Sequence, residues 1–285
     1  MNTMSTGPGG VVAGTMGAAR EVAPWIVRLA RVGYAAKAVV YFTVGALAAQ
    51  AAFGAGGATT DQRGALRTLL DQPMGRALLW VIALGLFGYA VWGVIAAMSD
   101  AERRGSDGKG LALRIGMVVR ALAYGALGVT AVRVATGSGG GGGSGQRTQD
   151  WTARLMAMPM GRTLVLAAGA GVIGYGLYQL YRSYKAKLSK ELDLSRLTPD
   201  AATWVVRSAR FGMAARGVVF TIVGWFLLRA GMERDASEAG GLGDALATLE
   251  RQAYGPWLLG AVALGLIAYA VYELVNARYR RISVA

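Results

Sequence analysis

A chain of 285 residues that is 54% hydrophobic and 16% charged, with a mean hydropathy of +0.39, falls well below the roughly 25% charged content of a soluble domain. Thirty Lys and Arg against sixteen Asp and Glu give a net charge of +14, and all but five of the basic residues are Arg. Neither Cys nor His occurs, which excludes disulfides, thiolate and imidazole metal sites, Cys nucleophiles and His bases.

Residues 1–20, rich in Gly, Ala, Ser and Thr, read as a disordered tail. Arg20 is the first basic residue, so the pattern of a cleavable signal peptide is missing and the first apolar run is expected to act as its own targeting signal. Pro24 and Trp25 open a segment in which Trp25, Arg28 and Arg31 recur at three-residue spacing. An indole and two guanidiniums on one helical face suit the headgroup layer. The first apolar run follows near 32–53, and five others stand near 77–98, 115–135, 163–181, 211–230 and 257–275. Each approaches the roughly 20 residues that a helix needs to cross the hydrocarbon layer. The predicted fold class is all-α, a polytopic membrane helical bundle of six transmembrane helices.

Within the first run Gly33, Lys37, Tyr41 and Gly45 stand four residues apart on one helical face. The set returns as Gly116, Arg120, Tyr124 and Gly128, and again as Gly212, Arg216, Phe220 and Gly224. The even-numbered runs repeat as well, with Gly85, Tyr89 and Gly93 matching Gly171, Tyr175 and Gln179, then Gly265, Tyr269 and Glu273. Trp92, Tyr178 and Tyr272 each follow a tyrosine by three residues, where an aromatic belt at the membrane boundary is expected. Three copies of a two-helix hairpin, spaced 83 and then 96 residues apart, make one membrane domain over 21–285. The repeats fall at about 25–98, 108–182 and 204–281.

Each hairpin carries a connector between its two runs. In the first, Leu66, Leu69 and Leu70 predict a one- to two-turn helix on the outer end of the bundle, stopped by Pro73-Met74-Gly75. Matching pieces stand at Trp151 to Arg162 and at Asp244 to Pro256, while Gly137 to Gly145 reads as a flexible insertion. Thr198-Pro199-Asp200 predicts a helix start before the third repeat, with Thr as cap and Pro in the first turn.

Basic residues set the expected orientation. The N-terminal tail, the 99–114 and 182–210 loops and the C-terminal tail carry seventeen Lys and Arg, against ten on the opposite side, so both termini are expected in the cytoplasm. The same distribution argues against nucleic acid as a partner, since the charge flanks apolar spans. Every repeat has two spans and inserts in the same sense, which puts any pseudo-symmetry axis along the membrane normal.

This pattern, Arg-x-Gly-x-x-x-[Lys/Arg] opening each unit and Gly-Tyr-Ala-x-Trp or Ala-Tyr-Ala-x-Tyr-Glu-Leu closing it, resembles the bacterial family called "domain of unknown function 1206" over roughly residues 25–281. The resemblance implies a six-span protein of the bacterial cytoplasmic (inner) membrane and brings no catalytic residue or cofactor. Ala268, where the other repeats have Gly88 and Gly174, departs from the internal consensus.

Lys37, Arg120 and Arg216 each lie six residues past an interfacial Arg, about 9 Å deeper at 1.5 Å per residue. Such side chains either snorkel back to the headgroups or face the bundle with the glycines beside them. If they face inward, Glu273, the one carboxylate within a span, is expected to pair with Arg216 across the hairpin, or else with Lys37 or Arg120. Two functions remain open. One is a non-catalytic membrane protein acting through assembly or protein contacts, a homo-oligomer included. The other is a transporter, channel or lipid-binding protein whose candidate cluster of Lys37, Arg120, Arg216, Glu273, Gln179, Tyr89, Tyr175 and Tyr269 receives an anion or the headgroup of an anionic membrane lipid. A membrane enzyme is disfavoured, because no paired carboxylates stand at a fixed spacing. A cavity lined by the three cations separates the two readings, since a scaffold predicts a dry, filled axis.

Overall fold

A computed structural model of the chain describes residues 24–55, 57–98, 107–138, 144–185 and 192–280. The tail expected to be disordered and the basic loop segments 99–106 and 186–191 lie outside the described residues. Six helices are long and apolar enough to cross a membrane: α1 (Pro24–Ala52), α3 (Gly75–Met98), α4 (Gly108–Ala135), α6 (Gly161–Lys185), α7 (Pro199–Glu233) and α9 (Gly255–Tyr279). Three shorter helices, α2 (Gln62–Leu70), α5 (Ser144–Met156) and α8 (Leu242–Glu250), join them within each hairpin. No extended strand occurs among the described residues.

Local chemistry starts these helices. Thr198 Oγ1 accepts from the Ala201 amide at 3.4 Å to open α7, Asp107 caps α4 through the Gly110 amide at 3.0 Å, and Asp61 caps α2 through the Arg63 and Gly64 amides at 3.0 and 2.9 Å. The amphipathic segment from Pro24 and the first span are one unbroken helix. The connector helices are longer than one to two turns, and α5 reaches back to Ser144, so the end of the glycine-rich insertion is helical rather than flexible linker. Residues Pro73-Met74-Gly75 and Pro159-Met160-Gly161 do stop the first two, with Met74 and Met160 at φ of 60° and 61°.

Packing follows a cyclic rule. The second long helix of each repeat packs most extensively on the first long helix of the next: α3 on α4, α6 on α7, and α9 back on α1. Each of these three seams has an edge-to-face aromatic pair at the equivalent place: Tyr89 with Tyr124, Tyr175 with Phe220, and Tyr269 with Tyr41, at centroid distances of 5.1, 5.1 and 4.9 Å. The three repeats thus close head to tail around an axis.

Within the repeats the rule breaks once. Helices α1 and α3 pack on each other, as do α7 and α9, but α4 and α6 share no comparable interface. Glycine environments record the difference. A Cβ on Gly33 would meet Tyr89 Cβ at 2.6 Å, and one on Gly212 would meet the Tyr269 backbone at 2.5 Å, whereas one on the equivalent Gly116 meets nothing within 4 Å. Likewise Gly85 and Gly265 press against Ala36 and Ala215, and Gly171 faces open space. The second hairpin is splayed.

Candidate functional site

The bundle buries an ion pair. Lys37 Nζ donates to Glu273 Oε1 at 2.8 Å, with the two residues 4% and 1% exposed. The pair lies across the α9–α1 seam and not within the third hairpin, so Arg216 is not the partner of Glu273. Seam geometry explains the difference: the more extensive contact of α9 is with α1, where the equivalent of Arg216 is Lys37. Aromatic rings finish the ammonium's surroundings, Tyr89 at 4.3 Å, Tyr124 at 4.9 Å and Tyr34 at 5.1 Å from ring centroid to nitrogen.

Arg216 sits in the equivalent cage. Its guanidinium lies 4.2 Å from the Tyr269 ring, 5.1 Å from Tyr41 and 5.2 Å from Phe220. It is 6% exposed, its Nε is buried with no hydrogen-bond partner, and it has no salt bridge among the described residues. Burial of a guanidinium without a counter-ion costs several kcal/mol, of which cation–π contacts return about 0.5–2 kcal/mol each. Arg216 is therefore a buried cation whose charge the described residues leave uncompensated.

It borders a cavity of about 1110 Å³ where the second hairpin is splayed. Walls from α4, α6 and α7 include Val119, Ala123, Leu127, Val165, Val172 and Leu227, with Arg120, Arg216 and Tyr175 toward one end. From Arg216 to Leu227 along α7 the cavity extends about 16 Å, roughly half of the ~30 Å hydrocarbon layer. Helices α2 and α5 cover its other end and bring Asp61, Gln62, Arg63, Arg147 and Trp151 to it. A second, polar cavity of about 50 Å³ is lined by Lys37, Glu273, Tyr89, Tyr269, Arg182 and Arg280, and Arg120 lines both.

The candidate residues thus divide. Arg216 and Tyr175 belong to the large cavity, Lys37, Glu273, Tyr89 and Tyr269 to the small one, and Arg120 stands between them, its Nε donating to Gly116 O at 3.1 Å. Gln179 is 3% exposed and lines neither. Trp92 and Tyr272 do not form a lipid-facing belt: they are 5% and 4% exposed, and Trp92 packs with Tyr34 and Tyr89 inside the bundle, whereas Tyr178 is 40% exposed. Sequence reasoning missed Gln62, Arg63 and Arg147, which sit on connectors without chemical signature of their own. The hydroxyls of Tyr41 and Tyr124 stand 3.0 Å apart, and both residues were visible only as the repeat's recurring aromatic.

Six apolar helices in three cyclically packed hairpins, with a cation at the equivalent place of each and those of the first and third buried, define a repeat-built polytopic membrane protein. The chain belongs to the family described as Domain of Unknown Function (DUF1206), whose model matches it three times, over residues 32–100, 115–186 and 211–280. It is 36% identical over 264 residues to the uncharacterized protein YxxB of Bacillus subtilis (strain 168), covering 93% of this chain and 94% of that one. No solved structure matches the chain.

Proposed function

We propose that this protein is a non-catalytic component of the bacterial cytoplasmic membrane that binds an anionic amphiphile in the cavity between α4 and α6. Arg216, assisted by Arg120, holds the acidic headgroup, and the apolar walls take the tail. The supporting observation is the uncompensated Arg216 at the edge of an apolar cavity of about 1110 Å³. A ligand acid supplies the counter-ion that the described residues do not. The volume lies just above the roughly 300–1,000 Å³ usual for ligand pockets, which favours a lipid over a small free anion.

Native mass spectrometry of the full chain in detergent tests this reading, with phosphatidylglycerol, phosphatidylcholine and inorganic phosphate as probes. Retention of phosphatidylglycerol above phosphatidylcholine is expected, and Arg216→Gln should weaken it about tenfold, the equivalent of 1.4 kcal/mol. Retention of phosphate with no preference for the lipid makes the ligand a free anion. Equal retention of both lipids overturns the role of Arg216. Assembly as the main activity is favoured by one observation, the open faces of Gly116, Gly171 and Gly174, since small residues elsewhere in this bundle receive a helix. A discrete oligomer that retains none of the probes would establish that reading instead.

A further inference from the structure

The large cavity carries cations at both ends, and a polar stripe joins them. At the end covered by connectors, Arg63 on α2 and Arg147 on α5 both line the cavity, each partly buried. Neither guanidinium has a salt bridge among the described residues. Burial and the nearby Arg147 pull the pKa of Arg63 below its usual value against the opposing pull of Asp61, which marks a place where another anion is favoured. From the other end, the Arg216 guanidinium stacks on Tyr41, whose hydroxyl is 3.0 Å from that of Tyr124, and Gln62 Nε2 donates to the same Tyr41 oxygen at 3.5 Å. Gln62 is the chain neighbour of Arg63. Hydrogen-bonding groups therefore link Arg216 to the connector end of a cavity whose walls along α4, α6 and α7 are mostly apolar.

The splayed seam forms part of the cavity wall. Gly116 on α4 and Gly171 on α6 both line the cavity, and a Cβ added to either would meet no atom within 4 Å, so the slot between the two helices is continuous with the cavity. Moving a charged headgroup through hydrocarbon is opposed by the loss of its hydration, and hydrogen-bond donors and cations spaced along a path lower that barrier. Tails have no such barrier and can remain in the lipid.

We infer that the cavity is a track along which the headgroup of an anionic phospholipid passes between Arg216 with Arg120 and Arg63 with Arg147, its tails in the slot between α4 and α6, so that the protein exchanges such lipids between leaflets. The inference rests on the lipid-binding reading above. Exchange runs in either direction down the lipid gradient and involves no covalent step.

The test uses the full chain in vesicles that contain trace phosphatidylglycerol fluorescently labelled on its headgroup, with dithionite added outside. Protein-free vesicles lose only the outer-leaflet signal, and vesicles with the protein should lose the inner-leaflet signal as well. Arg63→Gln with Arg147→Gln should slow that loss about tenfold. Tyr41→Phe with Tyr124→Phe, which keeps both rings and removes the hydroxyls, should slow it too and carries the test if the first variant fails to fold. Retention of phosphatidylglycerol without inner-leaflet loss overturns the exchange and leaves lipid binding standing, whereas lack of retention overturns the lipid-binding reading itself. Exchange at the original rate in both double variants overturns the track.

Discussion

Glu273 shows how one residue's partner depends on the whole ring. It is 1% exposed, one oxygen takes the Lys37 ammonium at 2.8 Å, and the other is buried without a hydrogen-bond partner among the described residues. Removal of either member leaves an uncompensated buried charge, at about 3–5 kcal/mol, whereas removal of both is far less costly. Glu273→Gln should therefore lower the melting temperature in detergent, and Lys37→Met added to it should restore most of the loss. Adding Arg216→Gln in place of Lys37→Met should change the melting temperature additively, with no recovery specific to the pair, because Arg216 makes no ion pair with Glu273. Coupling to Arg216 and not to Lys37, read from the same double-mutant cycles, would sink the assignment. The charged residues themselves were visible in the sequence, because ions in apolar runs stand out. Their pairing was not, since it is settled by the contact between repeats three and one, 236 residues apart.

At the scale of helices, the glycines set apart seams that repeat chemistry alone would make alike. The mean cost of Gly over Ala within a helix is roughly 0.5–1 kcal/mol, so a Gly with free space above it should gain stability on replacement. Gly116→Ala is accordingly expected to be neutral or stabilising, while Gly33→Ala and Gly212→Ala force backbones apart and should each lower the melting temperature by several degrees. Equal losses at all three positions would show that α4 and α6 close on each other as the other hairpins do. The sequence showed six spans, three connectors and the Pro-x-Gly stops, because periodicity and turn chemistry are local. It held no sign that the second hairpin is splayed, since Gly116 and Gly171 match their counterparts residue for residue. What differs is the placement of α5, whose Gln149 Nε2 donates to Ser237 O at 2.8 Å and so ties the second repeat's connector to the third repeat.

For the molecule as a whole, orientation decides which leaflet meets which end of the cavity. Arg216 lies six residues beyond Arg210 on the side of the termini, and Arg63 and Arg147 lie on connectors at the other side. The excess of Lys and Arg, seventeen against ten, argues for cytoplasmic termini, and the count includes the loops that link the repeats. With that orientation an inner-leaflet lipid meets Arg120 and Arg216, and Arg63 and Arg147 face the outer leaflet. Reporter fusions at residues 105 and 240 should then give opposite answers, the first cytoplasmic and the second external. Equal signals would end the six-span topology. Reversed signals would keep the six spans and turn the cavity over, so that Arg63 and Arg147 met the inner leaflet first.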